Sequence, residues 1–170
     1  MSSEPSVSPA AKIDPHHFRL ACGRYATGVT IATILDKQGN PHGITVNSFT
    51  SVSLAPPLVL ICLDHRARVL EHFQPGTHFG INVLSEYQRD LSEHFASRLR
   101  DRFNGVEWHR AGAGVPRLPR GLAFLECALR HRVPAGDHDI IIGEVMDAQI
   151  QEGRPLLYFA SGYRKLEPGV

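Results

Sequence analysis

Cysteine is scarce. Cys22, Cys62 and Cys127 are the three in 170 residues, and no two form a CxxC pair. An odd, scattered set argues against a disulfide framework and against a zinc knuckle. An excess of one charge is also missing, since 18 Lys and Arg against 17 Asp and Glu leave a net charge of +1. A nucleic-acid binder normally carries a large basic excess, so no nucleic-acid partner is expected. No apolar run approaches the roughly 18–20 residues of a membrane span, and no membrane association is expected. There is no Walker A loop, no GxGxxG after a strand, no HExxH and no GxSxG. A Rossmann-type dinucleotide site is therefore not expected. The start, MSSEPSVSPA, has neither a basic region nor an apolar core. It reads as a disordered tail over residues 1–13 rather than a secretory signal, and a reduced, cytoplasmic setting is expected.

Hydrophobic residues make up 42% and charged residues 21%, which supports one globular domain over residues 14–170. Asp14-Pro15 is a helix start, an Asp cap followed by Pro at the first helical position, and Gly28 is the expected stop. Residues 29–35 (VTIATIL), 42–53 (HGITVNSFTSVS), 58–63 (LVLICL) and 78–84 (HFGINVL) read as strands. Turn clusters at residues 36–41, Pro56-Pro57 and Pro75-Gly76 punctuate them. Residues 68–73 suit a helical turn, residues 85–98 a helix, and residues 104–120 a long surface loop. A long strand alternates Ala123, Leu125, Cys127, Leu129, His131 and Val133 against Phe124, Glu126, Arg130 and Arg132. It turns at residues 134–137, returns over residues 139–150, and is followed by a strand at residues 156–160. About six or seven short strands with two helices predict a mainly antiparallel sheet closed as a barrel.

Ten histidines raise the question of a metal, but they lack ligand spacing and none is expected to hold one. Six of the nine residues in segment 45–53 (TVNSFTSVS) carry a hydroxyl or an amide. Strand periodicity puts Thr45, Asn47, Phe49, Ser51 and Ser53 on one face. Small hydrogen-bonding groups suit a flat polar heterocycle; a hydroxyl-rich edge strand has the same pattern. Gly136-Asp137-His138 reads as a hairpin turn or as an imidazole at the mouth of a sheet.

These pieces, taken with their neighbours, resemble the flavin reductase family. The carriers are FRLACGRYATGVTIAT (18–33), GITVNSFTSVSLAPPLVLICL (43–63), FGINVLSEYQRDLSEHFA (79–96), DRFNGVEW (101–108), GDHDIIIGEV (136–145) and PLLYFASGYRKL (155–166), in family order. The family comprises small NAD(P)H:flavin oxidoreductases that serve two-component flavin-dependent monooxygenases. The resemblance implies a mainly β fold, the split β-barrel FMN-binding fold with a few flanking helices. It also implies a homodimer with flavin sites near the subunit interface. FMN, or FAD, is then expected against Thr45, Val46, Asn47, Ser48 and Ser53, and against Cys62, Leu63 and Asp64. Arg66 and Arg68 stand in a DHRAR loop where many relatives have serines, and are implied phosphate donors. Gln88 and Phe95 on the second helix, and Phe103 beside Arg102, are further implied flavin neighbours. His138, the one residue implied in catalysis, matches the nicotinamide side as a positioner. Tyr163 and Arg164 match contacts to NADH or NADPH. Hydride would pass from nicotinamide C4 to flavin N5 with the protein supplying alignment. Reduced flavin would then leave for a partner monooxygenase. The same architecture also serves non-catalytic flavin- or haem-binding proteins, and oxidases of pyridoxine phosphate, which the motifs fit less well.

Overall fold

The computed structural model describes residues 13–167. All but the last residue of the tail expected over residues 1–13 lies outside them. Helix α1 (Pro15–Cys22) begins as its sequence predicts: the Asp14 carboxylate accepts the His17 amide at 2.8 Å and Pro15 opens the helix. It ends at Gly23 rather than Gly28. The amides of Arg24 and Tyr25 turn back onto Ala21 and Cys22, and the chain enters a strand that contains Gly28.

The strands are β1 (Thr27–Gly28), β2 (Thr30–Leu35), β3 (Pro41–Val46), β4 (Thr50–Leu54), β5 (Pro57–Asp64) and β6 (His78–Val83). They continue with β7 (His109–Arg110), β8 (Pro116–Arg117), β9 (Ala123–Ala135), β10 (His138–Ile150), β11 (Leu157–Phe159) and β12 (Gly162–Arg164). A 3-10 turn (Arg68–His72) follows β5, as expected, and α2 (Arg89–Ala96) follows β6. Seven strands form one antiparallel sheet in the order β3-β2-β6-β9-β10-β5-β4. Its two edge strands, β3 and β4, are consecutive in the chain. Residues 47–49 must therefore carry the backbone from one edge to the other, which requires the sheet to curl until those edges approach. The Ser48 hydroxyl stitches the seam, accepting from the Cys62 amide at 2.9 Å and donating to its carbonyl at 3.2 Å. The result is the mainly β, split-barrel fold that the resemblance implies.

Three expectations are corrected. The single strand over residues 42–53 is two strands, because the chain leaves one edge of the sheet at residues 47–49 and joins the opposite edge. Thr45, Asn47, Phe49, Ser51 and Ser53 consequently do not share a face, and a bulge between Ser51 and Ser53 shifts the phase again. The helix over residues 85–98 shortens to α2, because Ser85 bridges to Pro155 and the Gln88 amide turns back onto the Ser85 carbonyl. Residues 104–120 are not a free loop. They contain the β7–β8 pair, and Pro116 and Leu118 are pinned to Thr33 and Asn82.

Ile34, Ile61, Phe73, Phe79, Ile81, Leu129 and Ile141 fill the barrel. A second core of Ile31, Leu84, Phe95, Phe103, Leu118 and Leu156 holds α2 against the sheet. Each such fully buried side chain stabilises the fold by about 1.5–3 kcal/mol.

Candidate active site

The seam, the end of β5 and the start of β10 meet at one end of the barrel. Asp64 pairs with His138 across the β5–β10 ladder, so the ladder joins Cys62, Leu63 and Asp64 to the imidazole. The His138 Nδ1 lies 2.6 Å from the Asp137 carboxylate, which this contact holds below its ordinary pKa. Asn47 is exposed at the crossover beside Ser48. Burial pushes the Cys62 thiol up from its ordinary value, so it is a neutral wall rather than a thiolate.

Helix α2 lies across β3 because Gly43 has no side chain. A Cβ there would sit 2.6 Å from Cε1 of Phe95 and 3.2 Å from Cε2 of Phe103. Two hydrogen bonds fix this approach. Thr45 Oγ1 donates to the Ser92 carbonyl at 2.7 Å, and Arg102 Nη1 donates to the Gly43 carbonyl at 2.9 Å. The C-terminal end of α2 then forms one wall of a groove of about 530 Å³, and the loop after β5 forms the other.

The two arginines of that loop are not equivalent. Arg66 donates to the Asp64 carboxylate from its backbone amide at 2.8 Å and from Nη2 at 2.6 Å, while its side chain is 87% exposed. The Arg66 side chain holds the Asp64 carboxyl well below the usual carboxylate range. Arg68 lines the groove and has no such partner among the described residues. Half-buried Arg102 donates Nε and Nη2 to the Ser97 carbonyl at 3.0 and 2.6 Å. Its pKa is lowered by burial and by the nearby Arg68 cation. Among the described residues, no carboxylate is within ion-pair distance of Arg68 or Arg102. Asp64 lines the same groove but is paired with Arg66, and two neighbouring guanidiniums without an ion-pair partner of their own form a site that favours an anion with several acceptor oxygens.

Not every predicted residue reaches this region. Ser53 pairs with Leu58, six residues back along β5 from Asp64; at about 3.3 Å per residue that is roughly 20 Å away. The crossover sends β4 in the opposite direction, and the Ser53 hydroxyl is held by the Pro56 carbonyl. Leu63 points into the barrel at 1% exposure. Phe95 and Phe103 pack edge to face at 5.1 Å inside the second core. These three side chains shape the site from behind and do not line it. Gln88 is also buried and fully engaged, accepting from the Ser85 amide at 3.0 Å and donating to the Pro119 carbonyl at 2.9 Å. It stands at the far end of α2 from Ser97, about 13 Å along the helix. Val46 is buried, leaving its backbone at the seam.

Tyr163 and Arg164 arrive by a two-residue hairpin whose Ala160 and Ser161 both take left-handed backbone angles, φ 48° and 59°. The Tyr163 hydroxyl is 2.8 Å from Ser92 Oγ, and the Arg89 guanidinium covers its ring at 5.4 Å. Ser92 therefore joins Tyr163 to Thr45 through its side chain and carbonyl. Arg164 is exposed and folds back onto the Tyr163 carbonyl.

Sequence reasoning missed a buried cluster under the loop. Asp139, 3% exposed, accepts from Arg132 Nε at 2.5 Å and pairs with His65 Nε2 at 2.9 Å. Arg132 also donates to the carbonyls of Leu70 and Phe73. The cluster anchors the 64–68 loop and the 3-10 turn to the β9–β10 hairpin. The His65 and Arg132 hydrogen bonds hold the Asp139 carboxyl below its ordinary pKa. No local signal marks Asp139, which reads as an ordinary first residue of a strand.

Residues 22–167 match the family profile described as "Flavin reductase like domain". The chain is 44% identical over 154 residues to a "Probable flavin reductase" of Rhizobium meliloti, covering 91% of this chain and 50% of that one. It thus spans about half the length of that relative. It is 39% identical over 160 residues to the "Flavin-dependent monooxygenase, reductase subunit HsaB" of Rhodococcus jostii, covering 94% and 82% of the two chains. Among solved structures it is similar to the NADH:FAD oxidoreductase SgcE6 of Streptomyces globisporus, bound to NAD and FAD fragments. That match has a TM-score of 0.86 and 35% identity, covering 94% of this chain and 99% of that one.

Proposed function

The chain belongs to the flavin reductase family, and on that premise we propose that it is an NAD(P)H:flavin oxidoreductase that reduces FMN or FAD and hands the reduced flavin to a partner monooxygenase. The observation that carries this reading is the groove between α2 and the 64–68 loop, where Arg68 and Arg102 present cationic donors with no ion-pair partner among the described residues, the groove's one carboxylate, Asp64, being paired with Arg66. Such a site fits a flavin phosphate. The flavin, when bound, supplies the redox chemistry.

The chain's own residues then have limited and specific tasks. Arg68 and Arg102 bind the phosphate. Asn47 and the backbone at Val46 and Ser48 meet the polar edge of the ring, and the seam to Cys62 keeps that backbone fixed. His138, held by Asp137, would position the nicotinamide for hydride transfer. Tyr163 and Arg164 are assigned to the pyridine nucleotide. Residues 14–170 act as one domain.

The reading includes a homodimer and a cytoplasmic setting. Large apolar side chains left in water support a second copy: Leu54 is 95% exposed and Tyr87 84%. Among the described residues no helix is long and apolar enough to cross a membrane.

An anaerobic assay of the purified protein with each nicotinamide and each free flavin tests the proposal. Rapid bleaching of flavin absorbance with one pair is expected. Flavin binding without nucleotide oxidation would replace the reductase by a flavin-binding module.

A further inference from the structure

His138 is held by a partner that is itself exposed. Its Nδ1 contacts the Asp137 carboxylate at 2.6 Å, yet the Asp137 side chain is 87% exposed and belongs to the Gly136-Asp137 turn. A contact made in water between adjacent residues aims a ring only if the backbone beneath it is fixed. The bracing comes from outside the hairpin. His65, the first residue after β5, makes two hydrogen bonds to it, one on each side of His138. Its backbone amide donates to the Asp137 carbonyl at 3.0 Å, and its Nε2 donates to the Asp139 carboxylate at 2.9 Å. Building on the flavin-reductase reading, we infer that His65 is a positioning residue for the nicotinamide step, clamping residues 137–139 and thereby setting where the His138 imidazole points.

The clamp is rigid at its far end. The buried Asp139 carboxylate accepts from Arg132 Nε at 2.5 Å, and Arg132 Nη1 donates to the carbonyls of Leu70 and Phe73 at 3.3 and 3.2 Å. Leu70 and Phe73 belong to the barrel core, so His65 joins the turn to a part of the molecule that packing holds still. The loop does not need the His65 side chain for its own shape. The Arg66 amide donates to the Asp64 carboxylate at 2.8 Å, the Ala67 amide to the Asp64 carbonyl at 2.8 Å, and the Leu70 amide to the Ala67 carbonyl at 2.9 Å. These bonds tie residues 64–70 to β5 and to the 3-10 turn by themselves. The hairpin lacks equivalent support. Asp64–His138 is the last pair of the β5–β10 ladder, and past it the link from β5 to the turn is His65. The His65 side chain is 45% exposed, so replacing it opens no hole in the core.

His65→Leu and His65→Gln separate positioning from anchoring. Both remove the imidazole, and only Gln keeps an N–H donor for Asp139. His65→Leu should lower kcat/KM for the nicotinamide about three- to tenfold, the scale of one hydrogen bond. The KM for flavin should not move, and His65→Gln should recover most of the loss. In a His138→Ala background His65→Leu should cost less than about twofold more, because both residues act through one imidazole. Additive losses, a loss that Gln does not recover, or a lowered Tm with unchanged kinetics overturns the inference. A second readout needs no turnover. The His138 ring resonance, identified by its disappearance from the NMR spectrum of His138→Ala, should differ between His65→Leu and His65→Gln. A coincident position in the two variants overturns the clamp. If the unaltered protein reduces no flavin with either nicotinamide, the reductase reading fails and the resonance still decides the clamp. If flavin is reduced and the resonance is the same in both variants, the clamp alone fails.

Discussion

Gly43→Ala tests how the groove is built. The added Cβ would lie 2.6 Å from Cε1 and 2.8 Å from Cδ1 of Phe95, where carbon atoms normally sit about 3.5–4.0 Å apart. Either the Phe95 ring or α2 must move by about 1 Å. The ring has no room, being fully buried and packed on Phe103 and His94. The helix therefore yields, and the Thr45–Ser92 and Arg102–Gly43 hydrogen bonds yield with it. Overpacking of this kind costs about 1–3 kcal/mol. For a chain of this size 1 kcal/mol lowers Tm by roughly 2–4 °C, so a drop of about 2–12 °C is expected. Flavin affinity should fall as well, because the same shift displaces Arg102 from the groove it shares with Arg68. Scanning calorimetry and flavin fluorescence quenching measure the two effects. In the Gly43→Ala background, Phe95→Leu should recover part of the lost affinity, since a smaller side chain relieves the contact. A Tm within about 1 °C of wild type, together with an unchanged flavin Kd, would refute the close-approach argument.

Arg68→Ala should weaken FMN binding about 10–100-fold, the loss of a charge-assisted hydrogen bond to phosphate. Arg66→Ala should change it by less than about threefold, because that exposed side chain is already committed to Asp64; equal losses would show that the Asp64 pair opens on binding. His138→Ala should raise the KM for the nicotinamide and lower turnover about tenfold, the scale of one lost hydrogen bond, with flavin Kd little changed; steady-state kinetics showing neither change would remove His138 from the site. Asp139 has a depressed folded-state pKa from His65 and Arg132. Its stabilisation is present above the unfolded value of about 3.9 and is lost as pH falls through the folded value. Asp139→Asn should therefore flatten the acid limb of a stability-against-pH curve below about pH 4, and an unaltered limb would count against the buried cluster.

Much of the fold was legible locally. The β-branched, apolar runs over residues 29–35 and 78–84, the Asp14-Pro15 helix start and the turn at Gly136-Asp137 each describe a neighbourhood that local sequence decides by itself. The ordered motifs carried the family and the general region of the site. What the sequence could not decide was which distant pieces meet. The strand at residues 42–53 looked continuous because periodicity knows nothing of closure. Only the curl of the sheet, with β3 and β4 on opposite edges, breaks it at Ser48 and carries Ser53 away. Arg66 and Arg68 are alike in sequence, yet the first is paired with Asp64 and the second faces Arg102. Leu63, Phe95 and Phe103 occur within motifs, yet packing turns their side chains into the cores. Asp139 becomes an anchor because sheet register places it against His65 and Arg132. Local pattern fixes which face a side chain takes relative to its neighbours. Charge pairing and burial depend on contacts between residues far apart in the chain, and those exist only once the sheet has curled.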